Sequence, residues 1–159
     1  MVLENGVEGK FRFRLGRHEQ LVLYKRKDEA SSHLKLRAIA YALFFRECDK
    51  LCVSPRLQYK VQPDFAVLNW EGEPELWIQC LDSDLDILEY VCKHIPAREV
   101  VLVTQERSID ELVACLRRKI HYRYTSDKLK IINLRPPIEE WFDAELLDVP
   151  TDAYDIFEF

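Results

Sequence analysis

The stretch QPDFAVLNWEGEPELWIQCL, residues 62–81, predicts the hairpin on which the fold is built. Two runs of strand-forming residues, 64–69 and 75–80, flank the polar sequence EGEP, which is typical of a tight turn. Asp64 follows a proline at the start of the first strand, and Gln79 lies near the end of the second. The hairpin therefore brings Asp64 and Gln79 onto neighbouring strands of one sheet.

The chain before this hairpin carries a strand pattern and then a helix pattern. KFRFRL alternates between apolar and basic residues, and EQLVLYK follows it after a turn around Gly16, so the two predict a first hairpin. SSHLKLRAIAYALFFRE changes to the helical period, with Ser31 or Ser32 as its N-cap. The second half of this helix is apolar nearly all round, so we expect it to be deeply packed.

The chain beyond the hairpin continues in the same alternating order. DSDLDILEYVCKHI and SIDELVACLRRKIHY predict helices, and the second opens with a Ser108-x-x-Glu111 capping box. REVVLVT and LKIINL are short apolar runs, typical of strands that are buried on both faces and parallel to a neighbour. Pro136-Pro137 ends the last of these strands. A short helix near Trp141 and a terminal strand at YDIFEF are predicted for the remainder.

The order of elements predicts an α/β sandwich in which helices flank a mixed sheet. The chain of 159 residues, 48% hydrophobic and 32% charged, fits a single domain spanning residues 1–159. No signal peptide or membrane-spanning segment is recognisable, so we expect no membrane association. The five cysteines lie in apolar patterns, which favours reduced thiols in a cytoplasmic protein over disulfides.

Charge is distributed unevenly along the chain. The net charge of -5 and the pI near 5.4 argue against a protein that coats nucleic acid. Residues 1–37 nevertheless carry nine basic residues and five acids, whereas residues 136–159 carry eight acids and no Lys or Arg. This split fits either a nucleic-acid-binding face beside an acidic edge or two ordinary solvated surfaces.

Asp64 and Gln79 raise the question of a metal site. Metal-dependent nucleases of the two-strand type hold Mg²⁺ or Mn²⁺ with carboxylates on neighbouring strands, because the ion polarises the phosphate and lowers the pKa of the attacking water. A Gln amide oxygen brings no charge to the ion, so a site that uses Gln79 is weakened. The alternatives are an Asp64 that initiates a turn and a Gln79 that bonds buried backbone.

Several blocks of the sequence resemble a known family. The element order, together with HLKLRAIAYALFF, PDFAVLNWEGEPELWIQC, EVVLVT and LKIINL, is similar to the YaeQ family, small bacterial proteins with a fold of the PD-(D/E)XK nuclease type. The resemblance covers about residues 10–134 and is weaker over the acidic C-terminal segment 136–159. It implies a restriction-endonuclease-like sandwich with a mixed β-sheet flanked by helices.

The resemblance also implies site positions, from which this chain departs. Asp64 matches the family's Pro-Asp aspartate, whereas Gln79 stands where similar proteins have the glutamate after Trp-Ile. The family's acid in the first helix falls near Ser32, which has no carboxylate. Glu29, about one turn earlier, is its substitute if the helix starts early enough.

The lysine of the family motif is displaced as well. Its usual position, two residues after the acid, is Leu81, and in this family the lysine is shifted into the following helix, where Lys93 is the available basic residue. The ordinary alternative for both Glu29 and Lys93 is a helix-surface charge. His33 and His94 lie on different elements and are interpreted as solvated or hydrogen-bonded histidines rather than metal ligands.

Two functional hypotheses follow. The first is a degenerate, non-catalytic binding or regulatory protein with a nucleic-acid or protein partner, because one secure carboxylate has little to neutralise a bound divalent ion. The alternative is a weak divalent-metal-dependent phosphodiesterase acting on nucleic acid. In that case Asp64 and Gln79 bind Mg²⁺ or Mn²⁺, Glu29 assists them, and Lys93 stabilises the developing charge. The fold does not choose between these hypotheses, since function depends on the site.

Overall fold

The computed structural model describes residues 7–80, 84–144 and 146–159, which form two β-sheets and the helices between and around them. The helices are α1 (Ser31–Phe44), α2 (Leu85–His94), α3 (Ile109–Lys119) and α4 (Tyr122–Thr125), with a 3₁₀ helix at Ile138–Trp141. The strands are β1 (Val7–Arg14), β2 (Gln20–Arg26), β3 (Cys52–Val53), β4 (Phe65–Leu68), β5 (Pro74–Cys80), β6 (Glu99–Thr104), β7 (Leu129–Leu134), β8 (Phe142–Asp143), β9 (Leu146–Leu147) and β10 (Tyr154–Glu158).

The larger sheet has six strands in the order β10-β7-β6-β5-β4-β3. Strands β5, β6 and β7 are parallel, while β4 and β10 pair antiparallel with β5 and β7. The runs EVVLVT and LKIINL are therefore buried parallel strands, as their apolar patterns predicted. Because β4 is antiparallel to β5, the start of β4 lies beside the end of β5, at the edge where the parallel strands end.

The smaller sheet has the order β2-β1-β9-β8. The predicted hairpin of β1 and β2 is confirmed, and it buries Phe13, Leu21 and Leu23. Strand β9 joins β1 in parallel through the pair Arg14 and Leu146. The first hairpin thus belongs to a separate sheet, completed by residues from the end of the chain.

Helix α1 fills the space between the two sheets. Its residues Leu36 and Ile39 share one core with Leu23 of the smaller sheet and with Phe65 and Ile78 of the larger sheet. The predicted deep packing of this helix is therefore confirmed. Because α1 is enclosed by sheets on both sides, any charged side chain on its inner turns must find its partners inside the protein.

Helices α2 and α3 cover the opposite face of the larger sheet. Leu88 and Leu116 pack there in one cluster with Trp77, Val100 and Leu102. The layers are therefore the smaller sheet, α1, the larger sheet, and α2 with α3. This arrangement confirms the predicted α/β class with a mixed sheet flanked by helices.

One predicted helix cap is wrong, and a second is correct in position only. Ser31 is the first helical residue of α1, and its N-cap is Ala30, with no side-chain hydrogen bond. Ser108 is the N-cap of α3, but its side chain makes no capping bond, so the expected box with Glu111 does not form. At α1 the chain is held just before the helix by an ion pair of Glu29, and a serine hydroxyl is not needed to fix the helix start.

The acidic C-terminal segment adds an edge strand to the larger sheet. The predicted short helix and terminal strand are the 3₁₀ helix Ile138–Trp141 and β10, which pairs with β7 from Tyr154 to Glu158. Arg135 forms an ion pair with Asp155 across this junction. Within the described ranges, no helix has the length and apolar character required to cross a membrane.

Candidate functional site

Asp64 lies just before β4, at the edge where the parallel strands end. Its backbone N–H donates to the Ile78 carbonyl oxygen at 3.1 Å, and its side chain is only 2% exposed. The carboxylate oxygen Oδ2 accepts hydrogen bonds from the Cys80 backbone N–H at 2.8 Å and from Gln79 Nε2 at 3.4 Å. The hairpin thus brings Asp64 and Gln79 together, as the strand pattern predicted.

Gln79 uses both ends of its buried side-chain amide. Its Oε1 accepts a hydrogen bond from Trp77 Nε1 at 3.0 Å, while its Nε2 donates to Asp64. Trp77 and Gln79 are two residues apart on β5, so their side chains share a face. The amide oxygen, which is the atom that a cation would bind, is therefore already bonded to an indole N–H.

A buried arginine, Arg37 of α1, contacts both acidic side chains of the site. Its Nη1 donates to the two carboxylate oxygens of Glu29 at 2.9 and 3.0 Å. Its Nε lies 3.4 Å from Asp64 Oδ1, an ion pair that lacks hydrogen-bond geometry. Its Nη2 donates to Ser54 Oγ at 3.2 Å, and Nη1 also reaches the Tyr24 carbonyl oxygen. With a side chain 3% exposed, this guanidinium bridges the two carboxylates inside the protein.

Glu29 precedes the N-cap of α1, and its side chain turns back to meet Arg37 and His33. His33 Nδ1 lies 3.5 Å from Glu29 Oε2, and its Nε2 lies 3.1 Å from the Cys80 carbonyl oxygen. Burial raises the pKa of Glu29, but the hydrogen bond to His33 and the charge of Arg37 outweigh it and lower this pKa overall.

The pKa of His33 is raised in the same cluster. Burial lowers it, but the hydrogen bonds to Glu29 and to the Cys80 carbonyl oxygen, with the nearby charge of Asp64, outweigh that effect. A neutral imidazole has a single N–H donor, so only the protonated ring donates to both acceptors. The geometry therefore favours the charged form of His33.

Arg26, at the end of β2, completes the group. Its Nη2 lies 3.4 Å from Asp64 Oδ1, and its side chain is 55% exposed. We refer to Arg26, Glu29, His33, Arg37 and Asp64 as the Arg37 cluster. Two arginines neutralise two carboxylates in this cluster, and protonated His33 adds one further positive charge.

The donor set of the Arg37 cluster does not fit a divalent ion. Mg²⁺ and Mn²⁺ require oxygen lone pairs that point at the ion. Asp64 Oδ2 accepts from two N–H donors, and Oδ1 lies 3.4 Å from two guanidinium groups, so both carboxylate oxygens already face donors or cations. Among the described residues there is no group of three or more His, Cys, Asp and Glu side chains suited to a metal. The Arg37 guanidinium lies where the carboxylates would otherwise face a cation.

Not all of the predicted site residues meet. Asp64 and Glu29 come together through Arg37, and Gln79 joins them through its bond to Asp64, although Glu29 lies before α1 rather than within it. Lys93 instead pairs with Glu89 on α2 at 2.6 Å, on the opposite face of the larger sheet. Leu81, the usual lysine position of the motif, lies outside the described residues. The structure therefore separates Lys93 from the acids with which it was grouped.

An open cleft of about 870 Å³ lies beside the Arg37 cluster. We refer to it as the arginine cleft, because Arg26, Arg37 and Arg56 line it. Ser54 and Gln79 add polar groups to its walls, and the other lining residues are mostly apolar. The cluster is therefore the polar floor of a cavity that is accessible from solvent.

The sequence patterns did not predict Arg37 as a site residue, nor the contacts of His33 with Glu29 and the Cys80 carbonyl oxygen. One signal was present, since Arg37 is a charged residue within LKLRAIAYALFF, a run predicted to be deeply packed. Arginine is almost never fully buried without a partner, so such a position predicts a buried carboxylate nearby. The pattern does not identify that carboxylate, because Arg37 and Asp64 meet only after α1 packs against the larger sheet.

The described fold is that of solved YaeQ structures. The chain is similar to the crystal structure of the YaeQ protein from Xanthomonas axonopodis pv. citri, with a TM-score of 0.61 and 21% identity over 87% of this chain and 81% of that one. It is also similar to the YaeQ protein from Pseudomonas syringae, with a TM-score of 0.60 and 13% identity over 94% of this chain and 91% of that one. No protein-family model and no curated protein matches the chain.

These similarities define the class as an α/β protein whose mixed sheet is flanked by helices. The particular fold is the YaeQ fold, as the sequence resemblance implied. The shared property at these identities is the fold, so the Arg37 cluster must be interpreted from its own contacts.

Proposed function

We propose that this protein is a non-catalytic binding or regulatory protein, with a degenerate site on a scaffold of the PD-(D/E)XK nuclease kind. The observation that carries this proposal is the Arg37 guanidinium, which bridges Glu29 and Asp64. The two carboxylates of the cluster are balanced by Arg26 and Arg37, and the open cleft beside it is the surface for a nucleic-acid or protein partner. We expect this protein to act in the cytoplasm, because cysteines in apolar sequence patterns favour reduced thiols over disulfides.

The chemistry of the cluster supports binding rather than hydrolysis. A metal-dependent phosphodiesterase needs an ion to polarise the phosphate and to generate hydroxide near neutral pH. In this cluster the fixed positive charge is a guanidinium, which donates hydrogen bonds but has no coordination site at which a bound water is ionised as on a metal. Gln79 contributes no charge, and its oxygen is bonded to Trp77.

The alternative, a weak metal-dependent phosphodiesterase, requires Arg37 to give up its partners. Removing one partner of a buried ion pair costs about 3–5 kcal/mol. That cost corresponds to a weakening of metal affinity by roughly 10² to 4 × 10³-fold, at about 1.4 kcal/mol for each factor of ten. A site with few carboxylates binds a divalent ion weakly even without this cost. The cost therefore favours the binding function over the phosphodiesterase.

The proposal is tested by metal titration of the wild type and of Asp64→Asn, which keeps the shape of the side chain. We expect Mg²⁺ and Mn²⁺ to leave the melting temperature of both proteins unchanged, because Arg26 and Arg37 already neutralise the carboxylates. Incubation with single- and double-stranded DNA and RNA then tests for cleavage. A metal-dependent rise in melting temperature with cleavage in the wild type, both lost in Asp64→Asn, would establish the phosphodiesterase instead.

Gln79→Glu sharpens this test. If the site is a weakened metal site, the added carboxylate increases its affinity for Mn²⁺. If Arg37 fills the cation position, the new carboxylate faces Asp64 at the 3.4 Å spacing of the present hydrogen bond, and repulsion destabilises the protein without a gain in metal affinity.

A further inference from the structure

The arginine cleft carries more positive than negative charge on the residues that the structure describes. Arg26, Arg37 and Arg56 line it, and the described residues of its lining include no Asp or Glu. The carboxylates of Glu29 and Asp64 lie beneath this lining and are neutralised by Arg26 and Arg37. Arg56 is exposed and makes no hydrogen bond or ion pair with any described residue. The cleft therefore has one positive charge that no carboxylate in the described ranges balances.

The donors of the cleft are suited to an oxyanion. Arg26 uses one nitrogen to contact Asp64 and leaves its other N–H groups available, because a guanidinium has five donors. Arg56 donates to none of the described residues, so its donors can face a ligand. Ser54 Oγ accepts a hydrogen bond from Arg37 and still has its own proton to donate. Arginines recognise phosphate oxygens through paired N–H groups, and this recognition needs no metal.

The walls of the cleft suit a planar, partly apolar group beside the anion. Tyr24, 46% exposed, and Val53 line it together with Val22 and Ile87. An exposed aromatic ring offers a stacking surface for a nucleobase. The volume of about 870 Å³ lies in the range of roughly 300–1,000 Å³ that small-molecule sites occupy. A phosphate attached to a nucleoside therefore matches both the charge and the size of the cleft.

The loop that carries Arg56 is ordered by its own hydrogen bonds. Gln62 accepts from the Leu57 backbone N–H, and its amide donates to the carbonyl oxygens of Leu57 and Tyr59. Ser54, two residues before Arg56, has its backbone N–H bonded to the Asp64 carbonyl oxygen at 2.8 Å. Arg56 therefore projects from a segment that is held at both ends, which limits the entropy lost when a ligand binds.

We propose that the arginine cleft binds the phosphate group of a nucleotide-sized ligand directly through Arg26 and Arg56, without a metal ion. The ligand is either a free nucleotide or the phosphorylated end of a single strand, which share this chemistry. This inference rests on the proposed function and names its ligand. Because arginines already neutralise the carboxylates of the Arg37 cluster, the cleft beside it can bind a phosphate without a metal ion.

Isothermal titration calorimetry in EDTA tests the proposal with adenosine 5′-monophosphate, adenosine, inorganic phosphate, and a short single-stranded oligonucleotide with and without a 5′-phosphate. We expect the phosphorylated compounds to bind more tightly than their unphosphorylated counterparts. Arg56→Gln is the main variant, because Arg56 has no partner among the described residues whose loss would affect folding. A charged hydrogen bond is lost in this variant, so we expect about tenfold weaker binding or more.

Arg118→Gln is the matched control, because it removes the same charge from an exposed residue of α3 outside the cleft. We expect wild-type affinity for this control. Tighter binding of the phosphorylated oligonucleotide than of the mononucleotide would identify a strand end as the ligand, and the reverse order would identify a free nucleotide. Equal binding of adenosine and its monophosphate, or equal affinity of Arg56→Gln and wild type, would overturn the phosphate site.

The two proposals fail in different ways. Absence of phosphate binding in EDTA, with a melting temperature that Mn²⁺ does not change, would overturn the phosphate site and leave the non-catalytic function intact. Phosphate binding that persists in EDTA, with Mn²⁺-dependent stabilisation and cleavage, would overturn the non-catalytic function and leave the phosphate site intact.

Discussion

Two groups of ion pairs lie on opposite faces of the larger sheet, and they differ in burial. In the Arg37 cluster, the side chains of Arg37 and Glu29 are 3% and 4% exposed. On the α2 and α3 side, Lys93 pairs with Glu89, and Lys119 pairs with Asp86 and Glu89. These side chains are solvated, and Asp86 is 82% exposed.

The difference in burial determines what each carboxylate needs as a partner. Solvated charges on α2 and α3 are stabilised by water whether or not they pair. The buried carboxylates of Glu29 and Asp64 have no such alternative, so each must meet a cation inside the protein. Arg37 supplies that cation from the helix between the two sheets, which makes the cluster a structural unit as well as the floor of a cleft.

Removal of Arg37 is expected to cause the largest loss of stability. Arg37→Ala leaves Glu29 and Asp64 buried without their shared partner, and we expect the free energy of unfolding to fall by about 3–5 kcal/mol. Urea denaturation measures this value. Arg118→Ala, on the exposed face of α3, is the control and should retain wild-type stability. A loss no larger than that of the control would show that the buried pairs do not hold the cluster together.

Substitution of Gln79 tests the hydrogen bonds that connect Asp64 to Trp77, whose side chain packs on the opposite face of the sheet. Gln79→Leu removes the acceptor for Trp77 Nε1 and a donor to Asp64. A buried N–H without a partner costs about 1–3 kcal/mol, so we expect a loss of stability in that range by urea denaturation. Gln58→Leu, at an exposed position, is the matched control. Wild-type stability of Gln79→Leu would show that the amide bonds are dispensable.

His33 gives the cluster a pH dependence that the surface pairs lack. Its pKa is raised in the folded protein, so its contribution is fully present below the unfolded value near 6.5 and is lost as pH rises through the folded pKa. Between about pH 6 and pH 8, we therefore expect the wild type to lose more stability than His33→Gln. The lowered pKa of Glu29 lies below this window, and the cysteines are common to both proteins.

Urea denaturation at several pH values measures this difference, with His94→Gln as the control because His94 is exposed on α2. The control is expected to follow the wild type. Identical pH profiles for wild type and His33→Gln would show that His33 is not held by Glu29 and the Cys80 carbonyl oxygen.

Lys93 is expected to show the smallest effect. Lys93→Ala removes a solvated ion pair with Glu89, and the free energy of unfolding should stay within the error of the measurement. The same variant tests the lysine of the predicted site, since phosphate binding in the arginine cleft should not change. A loss of binding in Lys93→Ala would place Lys93 in the functional site after all.

Local patterns in the sequence predicted most of the fold. The apolar runs of β6 and β7 and the alternation in β1 each report burial directly, because strand faces alternate and parallel strands are covered on both sides. The pairing of Asp64 with Gln79 followed from the hairpin alone. The smaller sheet was not predictable, because β9 meets β1 through Arg14 and Leu146, which are far apart in sequence.

The Arg37 cluster lay beyond local patterns for a similar reason. Glu29 and Arg37 are close in sequence, but they meet because the Glu29 side chain turns back toward α1 from just before the N-cap, Ala30. The sequence had predicted Ser31 or Ser32 as that N-cap. Asp64 reaches Arg37 only through the packing of α1 on the larger sheet. The motif positions therefore grouped Glu29 with Asp64, but they did not identify Arg37 as the cation between them.

Mn²⁺ titration of Arg37→Ala tests most directly whether the Arg37 guanidinium takes the position of a metal ion. With the guanidinium removed, Glu29 and Asp64 face an empty space, and we expect Mn²⁺ to raise the melting temperature of the variant in a saturable way. The wild type should show no shift, and the additional change Asp64→Asn should abolish the response of Arg37→Ala. An equal Mn²⁺-dependent shift in wild type and Arg37→Ala, or no shift in either, would contradict the claim.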